Sequence, residues 1–180
     1  MTAGSNDTVV AYVGLGANLG DAASTLRAAL GHLNALSSTR LDVASRLYRT
    51  PAWGLRDQPD FVNAVARLST RLSAPRLLEG LLPIERAFGR RRAEDGSDRW
   101  GPRSLDLDLL LYGDARIDLP GLHVPHPYLH RRAFVLWPLR EIAPDAVVPG
   151  LGRVRDLANA LPAEEAGGIE ALPDAWKVAE

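Results

Sequence analysis

The chain has 180 residues, 46% of them hydrophobic and 24% charged, with 21 basic side chains against 22 acidic ones for a net charge of -1. Twenty of the basic residues are arginine and the only lysine is Lys177. That excludes a lysine phosphate loop, a kinase-type strand lysine and a Schiff-base lysine within the fold. Cysteine is absent, so disulfides, thiolate metal sites and cysteine nucleophiles are excluded as well.

The start, MTAGSNDTVV, lacks the basic and apolar regions of a signal peptide, and no apolar run approaches a membrane span. A cytoplasmic protein is expected. Near-zero net charge argues against a nucleic-acid or membrane partner. The pattern predicts one domain over 8–161, with tails at 1–7 and 162–180.

Val9 to Leu15 is an apolar run that reads as a buried strand. Asp21 to Leu36 follows with Leu26, Ala29, Leu30, Leu33 and Leu36 at helical spacing, capped by Asp21 or Ser24. Leu41 to Tyr48 predicts a second strand, ended by the Thr50-Pro51 turn. In the third, Phe61 to Leu68, Phe61, Asn63, Val65 and Arg67 share one face, and Val62, Ala64, Ala66 and Leu68 the other. Ser73 then caps a helix carrying Leu77, Leu78, Leu81, Ile84 and Phe88, with Pro83 expected to kink it. Leu105 to Tyr112 is the fourth strand. The order βαββαβ predicts an α+β fold, a ferredoxin-like core with an antiparallel sheet. Residues 123–161 add a Pro-rich stretch and short C-terminal helices, and the end is weakly patterned.

Chemistry collects in three places. In Leu105-Asp106-Leu107-Asp108-Leu109 the alternation of a strand puts both carboxylates on one face, a hard-oxygen pair suited to Mg²⁺ shared with phosphates. A half-buried strand with a solvated acidic face would read the same. Upstream, six arginines (Arg86, Arg90, Arg91, Arg92, Arg99 and Arg103) stand against three acids within 18 residues, a largely loop stretch that feeds into that strand. Guanidiniums and carboxylates brought together suit a metal-bound triphosphate, and equally a salt-bridge cluster. Finally, Trp53 in a Pro/Gly-bounded loop, with Phe61 and Asn63 on one strand face, suits a flat heterocycle, although a strand Phe is usually core. Gly14, Gly16 and Gly20 miss the GxGxxG spacing by one residue. His123, His126 and His130 have no recognised metal-ligand spacing.

Taken in order, AYVGLGANLGD, YRTPAWGLRDQPDFVN, IERAFGRRR, RWGPRSLDLDLLLYG, VPHPYLHRRAFVLWPL and EIAP resemble the 6-hydroxymethyl-7,8-dihydropterin pyrophosphokinases of folate biosynthesis, over about Val9 to Leu157. The resemblance implies a monomer that uses ATP and two Mg²⁺ ions to put pyrophosphate on the pterin's hydroxymethyl oxygen, releasing AMP. It implies metal ligands at Asp106 and Asp108 and catalytic arginines at Arg90, Arg92 and Arg103. It places the pterin at Thr50, Pro51, Trp53, Phe61, Asn63, Trp100 and Phe134. It places ATP at Glu85, Arg92, Arg99, Trp100, Arg103, Leu109, His123, His126 and Arg132. Departures are Phe61 where some members have Tyr, Leu82 for a Gln, Gly121 and Pro127 for an Arg and a Tyr, and an arginine loop about three residues longer around Glu94 to Asp98. An RNA-binding module and a nucleotide-binding regulatory domain are the rival readings. The first lacks the RNP aromatic pattern and leaves the carboxylates without a role.

Overall fold

A computed structural model describes residues 7–52, 57–90, 94, 95, 97 and 101–173. In chain order these form β1 (Val9–Ala17), α1 (Ala22–Asn34), β2 (Thr39–Ala44), β3 (Tyr48–Thr50), β4 (Phe61–Thr70), α2 (Ala74–Ala87) and β5 (Asp106–Tyr112). A hairpin, β6 (Ile117–Leu119) and β7 (Leu122–Val124), leads through a 3-10 turn at Leu129–Arg131 to α3 (Ala133–Ile142). The chain ends with β8 (Val147–Val148), β9 (Gly152–Arg153), α4 (Val154–Asn159), α5 (Ala163–Ala166) and β10 (Glu170–Ala171).

The main sheet runs β10-β3-β4-β1-β5, with β2 on the other half of β4, and every pairing is antiparallel. This is the expected α+β class. Counted as one interrupted strand, β2 and β3 restore the order βαββαβ. The interruption differs from the continuous Leu41–Tyr48 strand that the sequence predicts, and Ser45 is its cause. Its N–H donates to the Val65 carbonyl at 2.9 Å. Its hydroxyl accepts from the Val65 N–H at 3.0 Å and donates to the Arg46 carbonyl at 2.8 Å. A side chain thus supplies bonds the ladder would otherwise make.

Alternation gives the sheet two faces. Ala11, Val13, Leu15 and Ala17 of β1, Val62, Ala64, Ala66 and Leu68 of β4, and Leu107 and Leu109 of β5 pack against α1 and α2. Tyr12, Val65 and Leu110 point the other way, onto Val135, Leu136 and Leu139 of α3 and Val154 and Ala158 of α4. The helices start where the sequence predicts: Asp21 accepts from the Ser24 N–H at 3.1 Å and Ser73 from the Arg76 N–H at 3.3 Å. Helix α2 continues through Pro83 to Ala87.

The expected C-terminal tail from residue 162 is in part structured. β10 pairs Glu170 with Arg49 and Ala171 with Tyr48, adding a strand to the β3 edge. A two-residue strand and a one-turn helix are too short to show a period in sequence.

Candidate active site

On the α3 side the composition changes along each strand. β1 runs Tyr12, Gly14, Gly16, β5 runs Leu110, Asp108, Asp106, and β4 runs Val65, Asn63, Phe61. Register aligns the changes: Gly14 lies between Val65 and Asp108, and Gly16 between Asn63 and Asp106. The apolar end is covered by α3. The other end opens into a cleft between the strands and α3. The two glycines form its floor, and a Cβ on Gly16 would meet Asn63 Oδ1 at 2.7 Å.

The cleft gathers residues that the sequence reading placed in separate groups. Thr50, Pro51, Phe61, Asn63 and Phe134 line it together with Arg103, Asp106, Asp108 and Arg132. Asn63 is buried and its amide donates to Thr50 Oγ1 at 2.7 Å, which fixes the carboxamide beside the Phe61 ring. The Arg132 guanidinium lies over the Phe134 ring, 5.4 Å from its centroid, and over Tyr128 at 5.1 Å. Arg103 meets Asp106 at 3.3 Å.

Burial and like charge act together on the carboxylate pair. The Asp108 carboxyl is pushed up to about 7, first by burial and then by the neighbouring Asp106 carboxylate, with Glu85 adding and Arg132 and Arg103 opposing. Two close carboxylates that resist joint ionisation are a fitting donor set for a divalent metal. Among the described residues no three His, Asp or Glu side chains converge as a metal cage. A two-carboxylate site suits Mg²⁺, which keeps waters and takes its remaining ligands from phosphates.

Other expected site residues lie around the cleft without lining it. Buried Glu85 accepts from the Leu107 N–H at 2.8 Å, on the free edge of β5 between the two aspartates. Arg90 is also buried, and its N–H donates to the Glu85 carbonyl at 3.0 Å beyond the end of α2. Leu109 packs in the core with α1 and α2, so its side chain faces away from the carboxylates. His123 is exposed on β7 and pairs with Asp118 at 2.7 Å. His126 is held by its N–H on the Leu110 carbonyl at 3.0 Å. Burial and then Arg132 pull its imidazole down to about 4, so it is neutral at pH 7. Its Nδ1 accepts from the Tyr128 N–H at 3.2 Å, which leaves the proton on Nε2 as a donor. Trp53, Arg92, Arg99 and Trp100 lie outside the described residues.

The sequence reading missed Gly14 and Gly16, which it met only as a failed dinucleotide motif, and Asn18. Asn18 is 5% exposed just beyond β1 and bonds to both neighbouring loops. Its position in a Gly-rich run was the only available signal.

Residues 12–144 match the family described as 7,8-dihydro-6-hydroxymethylpterin-pyrophosphokinase. The chain is 46% identical over 164 residues to a Pseudomonas aeruginosa protein named 2-amino-4-hydroxy-6-hydroxymethyldihydropteridine pyrophosphokinase, covering 91% of this chain and 97% of that one. A Haemophilus influenzae protein of the same name is 44% identical over 151 residues, 84% of this chain and 92% of its own. Among solved structures, Plasmodium falciparum HPPK-DHPS with pteroate superposes with a TM-score of 0.67 at 16% identity, over 85% of this chain. This chain spans 44% of that longer one, and the likeness shows the fold.

Proposed function

The chain belongs to the 7,8-dihydro-6-hydroxymethylpterin-pyrophosphokinase family, and we propose that the cleft between β1, β4, β5 and α3 is where its two substrates meet. The reaction moves pyrophosphate from ATP to the hydroxymethyl oxygen of 6-hydroxymethyl-7,8-dihydropterin. A new bond forms from that oxygen to the β-phosphorus, the bridge to the α-phosphate breaks, and AMP leaves.

One observation carries this reading: a heterocycle wall and a carboxylate pair share one cleft over a glycine floor. Phe61 and Phe134 offer aromatic faces to the pterin, and Asn63 with Thr50 offers polar contact at its edge. Asp106 and Asp108 would hold Mg²⁺, two ions by family resemblance. When bound, such ions neutralise phosphate charge and activate the alcohol oxygen. Arg103 and Arg132 present fixed positive charge to the transferred group, and preorganised charge of this kind favours the transition state over the ground state. Neutral His126 would donate to a phosphate oxygen without adding charge. Arg90, Arg92, Arg99, Trp53 and Trp100 enter the reading through the family strings alone.

A monomer is what the family resemblance implies. Among the described residues no helix is long and apolar enough to cross a membrane, consistent with work in the cytoplasm. The test is product analysis after incubation with ATP, Mg²⁺ and the dihydropterin. AMP formed in step with pterin diphosphate is the expected result. ADP would indicate a different phosphotransferase, and no nucleotide product would indicate a binding domain.

A further inference from the structure

After α5 the chain returns to the cleft from outside, and residues 168–172 run as a strap along the outer edge of β3. Glu170 pairs with Arg49 and Ala171 with Tyr48, and the Leu172 N–H donates to the Leu47 carbonyl at 2.8 Å. The Leu172 side chain packs against the α1/α2 core. β3 itself is only three residues long and is followed at once by Pro51, which lines the cleft. The strap holds this short strand from one side, and β4 holds it from the other, with Thr50 opposite Phe61.

Gly168 is where the strap crosses Pro51. Its φ is +80°, a conformation that favours glycine, and it turns the chain from α5 into β10. A Cβ on Gly168 would meet Pro51 Cγ at 2.9 Å and Cδ at 3.5 Å. The Pro51 ring therefore has the strap against it and the cleft beside it. A flexible side chain could swing out of such a contact, but a ring closed on its own backbone nitrogen cannot. Displacing Pro51 moves its chain neighbour Thr50, whose Oγ1 accepts from the Asn63 amide at 2.7 Å. The strings that carry the family resemblance end before this strap.

We propose that Gly168 is a positioning residue for the pterin, backing the Pro51 ring and so setting the width of the heterocycle end of the cleft. That role rests on the substrate assignment above. It makes the C-terminal strap part of the support of the pterin wall and leaves the carboxylate end of the cleft untouched.

The test uses the full chain and calorimetric affinities for the dihydropterin and, separately, for α,β-methylene ATP with Mg²⁺. Gly168→Ala should weaken pterin binding about 10-fold, the scale of a small displacement at a binding centre, with nucleotide affinity unchanged. Leu172→Pro removes the N–H bonded to Leu47 and should weaken pterin binding in the same sense. Pro51→Ala takes away the ring atoms that the new methyl group would meet. In that background, adding Gly168→Ala should change pterin affinity by less than about twofold, the non-additivity expected of residues in contact. A purely structural strap would lower the melting temperature and leave the pterin affinity of folded Gly168→Ala intact, which overturns the proposal. Equal losses for both ligands overturn it, as does a full loss on adding Gly168→Ala to Pro51→Ala. Should Gly168→Ala fail to fold, an unchanged pterin affinity in Leu172→Pro overturns it. An unsubstituted protein that does not bind the dihydropterin overturns the functional reading, and this one with it.

Discussion

The two faces of the central sheet are made by the same three strands and obey different rules. Towards α1 and α2, Ala11, Val13, Leu15 and Ala17 of β1, Val62, Ala64, Ala66 and Leu68 of β4, and Leu107 and Leu109 of β5 are all apolar and form one core. Towards α3 the face is apolar for half its length, through Tyr12, Val65 and Leu110, and then gives way to glycines, carboxylates, Asn63 and Phe61. The difference teaches that the site is the uncovered end of an otherwise ordinary packing face. The first face holds the strands still, and the second uses their rigidity to set two carboxylates beside an aromatic wall. Alternation lets one strand do both, because Leu107 and Leu109 are anchored while Asp106 and Asp108 stand in the cleft.

That contrast is sharpest between neighbours on β5. Asp108→Asn should lower AMP formation by roughly 10²–10³-fold, the scale of losing preorganised charge at a reacting centre. Its melting temperature without metal should be unchanged or higher, since the substitution removes a buried carboxyl that resists ionisation. Near-normal turnover would break the assignment of the acidic pair. One residue away, Leu107→Ala should cost about 2–5 kcal/mol in urea unfolding, because Leu107 is 2% exposed in the α1/α2 core. A stable Leu107→Ala would show that this face is less tightly packed than described.

The glycine floor gives a finer test. Gly16→Ala sets a methyl group 2.7 Å from Asn63 Oδ1, so the carboxamide must move. The pterin KM should rise about 10-fold or more, in keeping with the steep cost of small displacements at a binding centre. The KM for ATP and the urea midpoint should change little. Equal changes in both KM values would mean that the floor serves the whole cleft and not its heterocycle end.

The smallest effect belongs outside the site, on the β3 edge. There buried Tyr48 donates its hydroxyl to Glu141 of α3, and Arg46 lies over its ring. Burial, and then the Glu141 carboxylate, push the phenol from 10.0 up to about 12. The folded state therefore holds this proton more tightly than the unfolded state. The stabilisation is complete below about pH 10 and is lost as pH rises towards about 12. Tyr48→Phe should flatten that part of the stability–pH curve while leaving turnover at neutral pH unchanged. A curve of unchanged slope would remove Tyr48 as its source.

Much of this contrast was legible in the sequence, for a simple reason. Alternation is local, so the division of β4 into Phe61/Asn63/Val65 and Val62/Ala64/Ala66 could be read directly, and so could the shared face of Asp106 and Asp108. The helix caps at Asp21 and Ser73 were legible because the capping side chain is three residues from its donor. What could not be read depends on partners far along the chain. Gly16 is a floor only because Asn63 and Asp106 flank it, and Asn18 matters only because Gln58 and Arg103 close on it. The break between β2 and β3 depends on Ser45 reaching Val65, and β10 is too short to carry a pattern. Leu109 illustrates the opposite case. A family string suggests a nucleotide contact there, but its place in the alternation puts the side chain in the core.

The assignment of the cleft turns on where the metal and nucleotide sit on the sheet. The most direct measurement is anomalous diffraction from crystals of the protein with Mn²⁺ and α,β-methylene ATP. Manganese peaks beside the Asp106 and Asp108 carboxylates, on the α3 face and next to Phe61 and Phe134, are the predicted result. Peaks elsewhere, with the two carboxylates free of metal, would contradict it.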